Sequence, residues 1–307
     1  MTVVDPPVEA ATLEDADPAP VTGKGHRRRE ALTAYAFLAP CLVVFAVFFF
    51  YAFGNLVWLS LRRQNNLGTA SIWQPSQLWD VLKSELFTGA LRTTLAFLLF
   101  TIPLGLVLGT LLAVAAHRRL KGIRIFQTIF SSTVASSTAV ASVIFLVLIN
   151  PSVGYFSNVS FFSLADPATA LRGVALSSIW QNLGLTFIIV LAGLQAVPDE
   201  LNEAATLDGF GPMRRFFKVT IPLISPTLLF LVVILAIFGM QAYAQVDILT
   251  SGGPNEATQT LVWRIFANRQ AADIGKGAAL SVGLFGVTLL ITLVQFTLLE
   301  RRVHYGR

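Results

Sequence analysis

The chain has 307 residues, 54% hydrophobic and only 13% charged, about half the charge of an ordinary soluble domain at about 25%. With 24 Phe and 5 Trp it would expose a very large apolar surface in water, which excludes a soluble protein and makes lipid its natural solvent. The single Cys41 and the scattered His26, His117 and His304 argue against a disulfide framework or a metal centre, and the net charge of +5 fits basic residues beside membrane spans better than a nucleic-acid surface.

In chain order, residues 1–23 are polar, Pro-rich and acidic (Asp5, Glu9, Glu14, Asp15, Asp17), and lack the basic start and apolar centre of a signal peptide. With the cluster Lys24, Arg27, Arg28 and Arg29 they read as a disordered cytoplasmic tail over 1–29. A single all-α, polytopic membrane domain is expected over 30–307. A helix needs about 20 mostly apolar residues to cross a bilayer core of about 30 Å, and six stretches qualify: 32–59, 94–116, 125–148, 174–197, 225–245 and 278–299. Pro40 and Pro103 lie inside spans, where neighbouring helices satisfy the freed backbone groups.

Basic residues set the orientation. Lys24 to Arg29, then Arg118, Arg119, Lys121 and Arg124, then Arg214, Arg215 and Lys218, then Arg301, Arg302 and Arg307 mark one side. The opposite side holds Arg62, Arg63, Lys83, Arg92, Arg172, Arg264, Arg269 and Lys276, spread over longer loops. Both termini are therefore expected in the cytoplasm.

Polar side chains within spans are costly and usually face a bundle interior or a water-filled path. The third span carries Ser131, Ser132, Thr133, Ser136, Ser137 and Thr138, a cluster suited either to close helix packing or to lining a pathway. Trp180, Gln181 and Asn182 fall in the fourth span; Gln241, Tyr243 and Gln245 fall in the fifth, with Asp247 at its outer end. Gln241 and Gln245 are one turn apart and are expected on one helix face. Amides beside an aromatic ring suit sugar hydroxyls and the apolar face of a pyranose; interhelical amide bonding is the competing reading. Ser137, Gln181, Asn182, Gln241, Tyr243 and Gln245 are the candidate path residues.

The cytoplasmic loop 198–222 runs from Pro198 through Glu203-Ala204-Ala205 and Gly209 to Pro222. Asp199 is expected as a helix N-cap, with Glu200 and Glu203 where the helix dipole favours acids. Gly209 can end the helix in a left-handed conformation, and Gly211-Pro212 can start a second short one. Leu201, Ala204, Ala205 and Asp208 share a face by spacing, and its small residues let another surface approach the backbone. An amphipathic interfacial hairpin without a partner is the plainer reading of the same residues.

The pattern Glu203-Ala204-Ala205, three residues, Gly209, nine residues, Val219-Thr220-Ile221-Pro222 resembles the EAA loop of ABC importer membrane subunits. It departs from that loop only by Val219 for Ile and Ile221 for Leu. A second stretch, Thr250-Ser251-Gly252-Gly253-Pro254 with Thr258 and Thr260-Leu261, resembles an outward segment of the carbohydrate-importer permeases that handle malto-oligosaccharides or glycerol-3-phosphate. The resemblance covers about residues 30–305 and implies a type I ABC importer permease fold in a bacterial or archaeal cytoplasmic membrane. It also implies a coupling helix (Glu203, Ala204, Ala205, Asp208, Gly209, Pro222) docked on an ATP-hydrolysing subunit. Further implied partners are a second homologous permease, two ATP-binding subunits and an extracytoplasmic solute-binding protein, touched through Gly252, Gly253 and Pro254. No cofactor is expected on this chain: it lacks a phosphate-binding Gly-x4-Gly-Lys-Ser/Thr loop, so ATP and Mg belong to the partner subunits and the chain is not itself an enzyme.

Two other classes compete. An ion-coupled secondary transporter would place an acid or base deep in a span, and none of the six spans has an acid there. A membrane enzyme would gather His, Cys or carboxylates at one face; Asp199, Glu200, Glu203 and Asp208 cluster without a catalytic partner. The expected function is a permease moving a sugar or sugar-like solute by alternating access, with glycerol-3-phosphate or glycerophosphodiesters as the alternative cargo.

Overall fold

The computed structural model describes residues 24–64, 71–117, 122–269 and 274–299. The acidic segment 1–23 and the basic residues Arg118, Arg119, Lys121, Arg301, Arg302 and Arg307 lie outside them. The chain forms two compact units, Met1–Gly54 and Asn55–Arg307.

In the first unit, helix α1 (Lys24–Phe45) continues through a π-helical turn, Ala46–Tyr51, toward α2 (Ala52–Ser60). Residues 24–29, assigned to the tail from their charge, are helical: Lys and Arg are good helix formers and extend an apolar helix without strain. The Phe-rich turn stacks Phe49 on Phe45 and on Phe53, at centroid distances of 5.0 and 6.4 Å.

The second unit opens with a short antiparallel hairpin, β1 (Arg62–Gln64) and β2 (Ser71–Trp73), that pairs Arg62 with Trp73. It is a small addition to the all-α expectation, held by Trp58 against Trp73 and by the Arg62 guanidinium over Trp58. After α3 (Ser76–Lys83), α4 spans Glu85–Ala116. It begins well before residue 94 because Ser84 caps it, accepting from the Phe87 N–H at 3.4 Å, and Glu85 sits in its first turn.

The third expected span is broken. Helix α5 (Ile123–Ser131) and a 3₁₀ turn (Ser132–Ala135) meet α6 (Thr138–Ile149) at a 105° bend. Helix α7 (Ala170–Gln195) is continuous. The loop helices α8 (Asp199–Leu207), α9 (Pro212–Arg215) and α10 (Ile221–Leu223) lead, through a 68° bend, into α11 (Ser225–Met240). Helix α12 (Ala244–Thr250), α13 (Leu261–Ala267) and α14 (Ile274–Leu299) complete the described chain. Among the described residues, four helices are long and apolar enough to cross a membrane, or up to six if each bent pair is one span.

Helices α4 and α7 run parallel and form the centre of the second unit. Between apolar helices in lipid, small residues decide how closely backbones approach. A Cβ added at Gly109 would strike Thr186, and one added at Gly184 would strike Thr133 and come within 2.8 Å of the Phe130 carbonyl. These contacts seat α4 and the 3₁₀ turn on α7. Ala113, Ala116, Phe187, Val190 and Leu194 fill the interface at one end, and Phe97, Val174 and Ala175 fill it at the other.

Candidate translocation cavity and coupling loop

The cavity grows from breaks in the helices. Helix α11 stops at Met240, and Gln241, Ala242 and Tyr243 leave helical geometry before α12 resumes. An interrupted helix frees backbone groups that cannot stay unpaired inside a membrane protein. Here the Ala242 carbonyl, itself buried with its residue, accepts from Thr260 Oγ1 at 3.2 Å. Thr260 also caps α13, accepting from the Trp263 N–H, while the Leu261 N–H donates to Thr94 Oγ1 of α4 at 2.9 Å.

The break opens a cavity of about 450 Å³ between α4, α6, α7, α11 and α12, within the usual range of about 300–1,000 Å³ for small-molecule sites. Gln181, Asn182, Gln241, Tyr243 and Gln245 all line it, beside Phe97, Thr101, Gly105, Thr138 and Phe238. Among the described residues, no lysine, arginine, histidine, aspartate or glutamate lines it. Gln241 and Gln245 do not share a helix face as expected, because the helix ends between them; the bend brings both to the cavity instead. Their amides make no side-chain hydrogen bond among the described residues, so donors and acceptors remain open. Gln181 Nε2 donates to Thr138 Oγ1 at 2.6 Å, which is the interhelical bonding weighed above, and Asn182 Nδ2 donates to the Ser178 carbonyl of its own helix. Tyr243 stacks on Phe266 at 4.3 Å.

Ser137 is not among the lining residues. Its hydroxyl caps α6, accepting from the Val140 N–H at 3.3 Å. Most of its neighbours also serve the backbone: Ser131 donates to the Gln127 carbonyl, Ser132 to Ile129, Thr133 to Phe130 and Ser136 to Thr133. Of this cluster only Thr138 reaches the cavity. Phe97, Thr101 and Gly105 were missed, although their spacing of four on one helix face was available as a signal.

On the loop, Pro198 rather than Asp199 holds the N-cap position of α8, without a side-chain cap bond, and Asp199 and Glu200 occupy the first turn. The other end matches the expectation from Gly209, which has φ +75°. The Gly209 N–H donates to the Thr206 carbonyl and the Phe210 N–H to the Ala205 carbonyl, both at 3.0 Å, the paired bonds of a Schellman cap. Gly211 then caps α9 with Pro212 in its first turn. Arg215 Nη1 donates to Thr206 Oγ1 at 3.1 Å, and the Arg214 guanidinium lies 4.4 Å from the Phe210 ring centroid, so the two short helices are tied together. Pro222 has no N–H to continue the ladder, and the preceding turn, Phe216–Thr220, widens to π-helix. Ala205 turns inward and is buried; Leu201, Glu203, Ala204 and Asp208 are exposed. Leu207 and Met213 are 89% and 70% exposed, two apolar side chains of the loop helices that the spacing argument overlooked.

In the other candidate contact, Gly252 is buried and faces inward: a Cβ there would lie 2.8 Å from the Trp263 ring. It shapes a turn in which Thr258 Oγ1 donates to the Gly253 carbonyl at 2.8 Å and lies 2.7 Å from Thr250 Oγ1. Gly253 and Pro254 are half-buried; Ser251, Asn255 and Glu256 are exposed.

Broken helices around an uncharged polar cavity, with a capped helical loop beyond the end of α7, are the architecture of a membrane permease that moves a solute. The chain belongs to the family of binding-protein-dependent transport system inner membrane components, which it matches over residues 102–305. It is 32% identical over 280 residues to the sn-glycerol-3-phosphate transport system permease protein UgpA of Yersinia pestis, covering 88% of this chain and 95% of that one. The corresponding protein of Agrobacterium fabrum is 31% identical over 281 residues, covering 89% and 96%. In fold the chain is similar to a subunit of a bacterial alginate ABC transporter solved with an alginate pentasaccharide-bound periplasmic protein. That match has a TM-score of 0.76 at 21% identity and covers 92% of this chain and 99% of the other. The chain is thus an inner-membrane permease component of an ABC importer.

Proposed function

We propose that this permease carries a neutral sugar or sugar-like solute, and that the cavity at the α11–α12 break is its half of the path. The supporting observation is the lining: amides, hydroxyls and aromatic rings with no charged side chain among them. Open amides satisfy hydroxyls as donor and acceptor at once, and Phe97, Phe238 and Tyr243 suit the apolar faces of a sugar ring. A glycerophosphate is the second reading, supported by the relatives named as sn-glycerol-3-phosphate permeases. A doubly charged phosphate in this cavity would lack a cationic partner from this chain.

The remaining parts of the machine are assigned on the same footing. Solute arrives from an extracytoplasmic binding protein. ATP and Mg bind two partner ATPase subunits, and this chain hydrolyses nothing. A second, homologous permease completes the path, and both termini face the cytoplasm. Helix α8 docks on the ATPase through Glu203, Ala204, Asp208 and the exposed Leu207, with Gly209 ending it and Pro222 shaping the turn that leads into α11; ATP-driven closure then pulls the bent α11 and its cavity between access states.

The test is uptake by the reconstituted importer with its own binding protein. Gln241→Ala and Gln245→Ala are each expected to lower kcat/KM for a transported sugar about 3- to 10-fold, one net hydrogen bond of about 0.5–1.5 kcal/mol, while ATPase subunits still co-purify. Unchanged uptake in the double variant sinks the assignment of the cavity. Preferred transport of sn-glycerol-3-phosphate over neutral sugars by the wild type decides for the second reading.

A further inference from the structure

A second concavity, of about 500 Å³, lies between α4, α6, α7 and the loop before α7. Every side chain that lines it is apolar, including Leu108, Ile144, Leu148, Phe156, Leu176 and Trp180. On α7 the lining residues Leu176, Ile179, Trp180 and Leu183 form one stripe by spacing. Ser178, Gln181 and Asn182 point to the solute cavity instead. The two spaces lie on adjoining sides of one helix and share Ile179, and the second offers a solute nothing to hydrogen-bond.

One turn before Leu176, on the same stripe, stands Arg172. Its guanidinium lies 5.0 Å from the Phe161 ring centroid and 5.9 Å from that of Phe100. Phe161 is held in place because Gly173 lets the loop lie on α7; a Cβ there would come within 2.8 Å of the Phe162 carbonyl. Stacking occupies the face of a guanidinium and leaves its N–H edge free to bind an oxyanion. No carboxylate pairs with Arg172 among the described residues. A half-buried cation without an acid, at the head of an apolar groove, calls for an anion attached to a hydrocarbon chain.

The depth agrees. Arg172 lies in the first turn of α7, at the membrane boundary opposite the coupling loop. From Arg172 to Leu183 the helix rises about 16 Å, roughly half of a bilayer core of about 30 Å. The groove thus spans one leaflet's hydrocarbon with the cation at headgroup level, the arrangement by which basic pockets between helices hold anionic lipid.

We propose that the groove between α4, α6 and α7 binds an anionic phospholipid, with its acyl chain along Leu176–Leu183 and its phosphate on Arg172. The intact importer complex is purified in mild detergent, incubated with mixed micelles of phosphatidylglycerol or phosphatidylcholine, and analysed by native mass spectrometry for retained phospholipid. The wild type is expected to retain phosphatidylglycerol about fivefold over phosphatidylcholine, the weight of one cation at a membrane surface. Arg172→Gln is expected to erase that preference and Arg172→Lys to keep most of it. Leu176→Trp, which fills the groove and leaves the charge, is expected to lower retention of both lipids and serves alone if Arg172→Gln does not assemble. Equal retention of the two lipids by the wild type overturns the proposal. So does an unchanged preference in Arg172→Gln, or normal lipid retention in Leu176→Trp with loss of the partner permease, which would make the groove a protein interface.

Discussion

Loop 198–222 and the cavity at the α11–α12 break are both built from interrupted helices, but their interruptions have different causes. In the loop, each stop lies within a few residues of the chemistry that causes it. Gly209 adopts the left-handed conformation that ends α8, Pro212 starts α9, and Pro222 removes an N–H from the following ladder. In the cavity, α11 stops at Met240 in the run Gly239-Met240-Gln241-Ala242-Tyr243, which contains no proline and no left-handed glycine. What holds that break open is a hydroxyl 18 residues away, Thr260, on the Ala242 carbonyl. The stops in the loop are encoded locally, whereas the break at the cavity depends on a distant partner.

Substitutions can break this comparison, starting with the largest effect. Gly184→Leu places a branched side chain where Thr133 and the Phe130 carbonyl already sit. Overpacking of about 1–3 kcal/mol or more is expected, seen as a sharply lower Tm and poor recovery of folded protein in detergent; an unchanged Tm would refute the close packing of the 3₁₀ turn on α7. Thr260→Val removes the bond to Ala242 and the cap of α13 together. Leaving a buried carbonyl unsatisfied costs about 1–3 kcal/mol, so uptake and Tm should fall together although the residue does not line the cavity. If uptake is normal, the break does not depend on its distant partner.

Gly209→Val forces a β-branched residue to φ +75°, at a cost of about 1–2 kcal/mol. The loss should appear in coupling, as ATPase subunits that co-purify poorly or hydrolyse ATP without uptake, and Tm should move little because the loop is exposed. Thr206→Val removes the exposed bond from Arg215 together with the hydroxyl's own bond to the Asn202 carbonyl one turn back. Its effect should stay within about 0.5 kcal/mol; a large coupling defect would show that α8 and α9 act as one rigid unit.

The same contrast explains what could be read before the fold was known. The run of α7 and the end of α8 at Gly209 followed from hydrophobic length and cap chemistry. So did the residue set Gln181, Asn182, Gln241, Tyr243 and Gln245, because polar groups in apolar runs stand out. Their arrangement did not follow: a continuous helix was expected through Gln241 and Gln245, and an unbroken span through Ser131–Thr138. Ser137 was misassigned because a hydroxyl that caps a hidden break looks the same in sequence as one that lines a path. Gly252 looked like a surface turn, yet it is small because Trp263 lies against it.

By itself, the sequence determined that the chain lives in lipid, where its apolar stretches lie, and where α8 ends at Gly209, since these rest on transfer from water and on bonds between near neighbours. Only the tertiary structure decided where the spans bend, which polar groups meet around an uncharged cavity, and which face of α7 is left with an unpaired arginine above an apolar groove. Those outcomes depend on hydrogen bonds and contacts between residues far apart in the chain, such as Thr260 with Ala242 and Gly184 with Thr133.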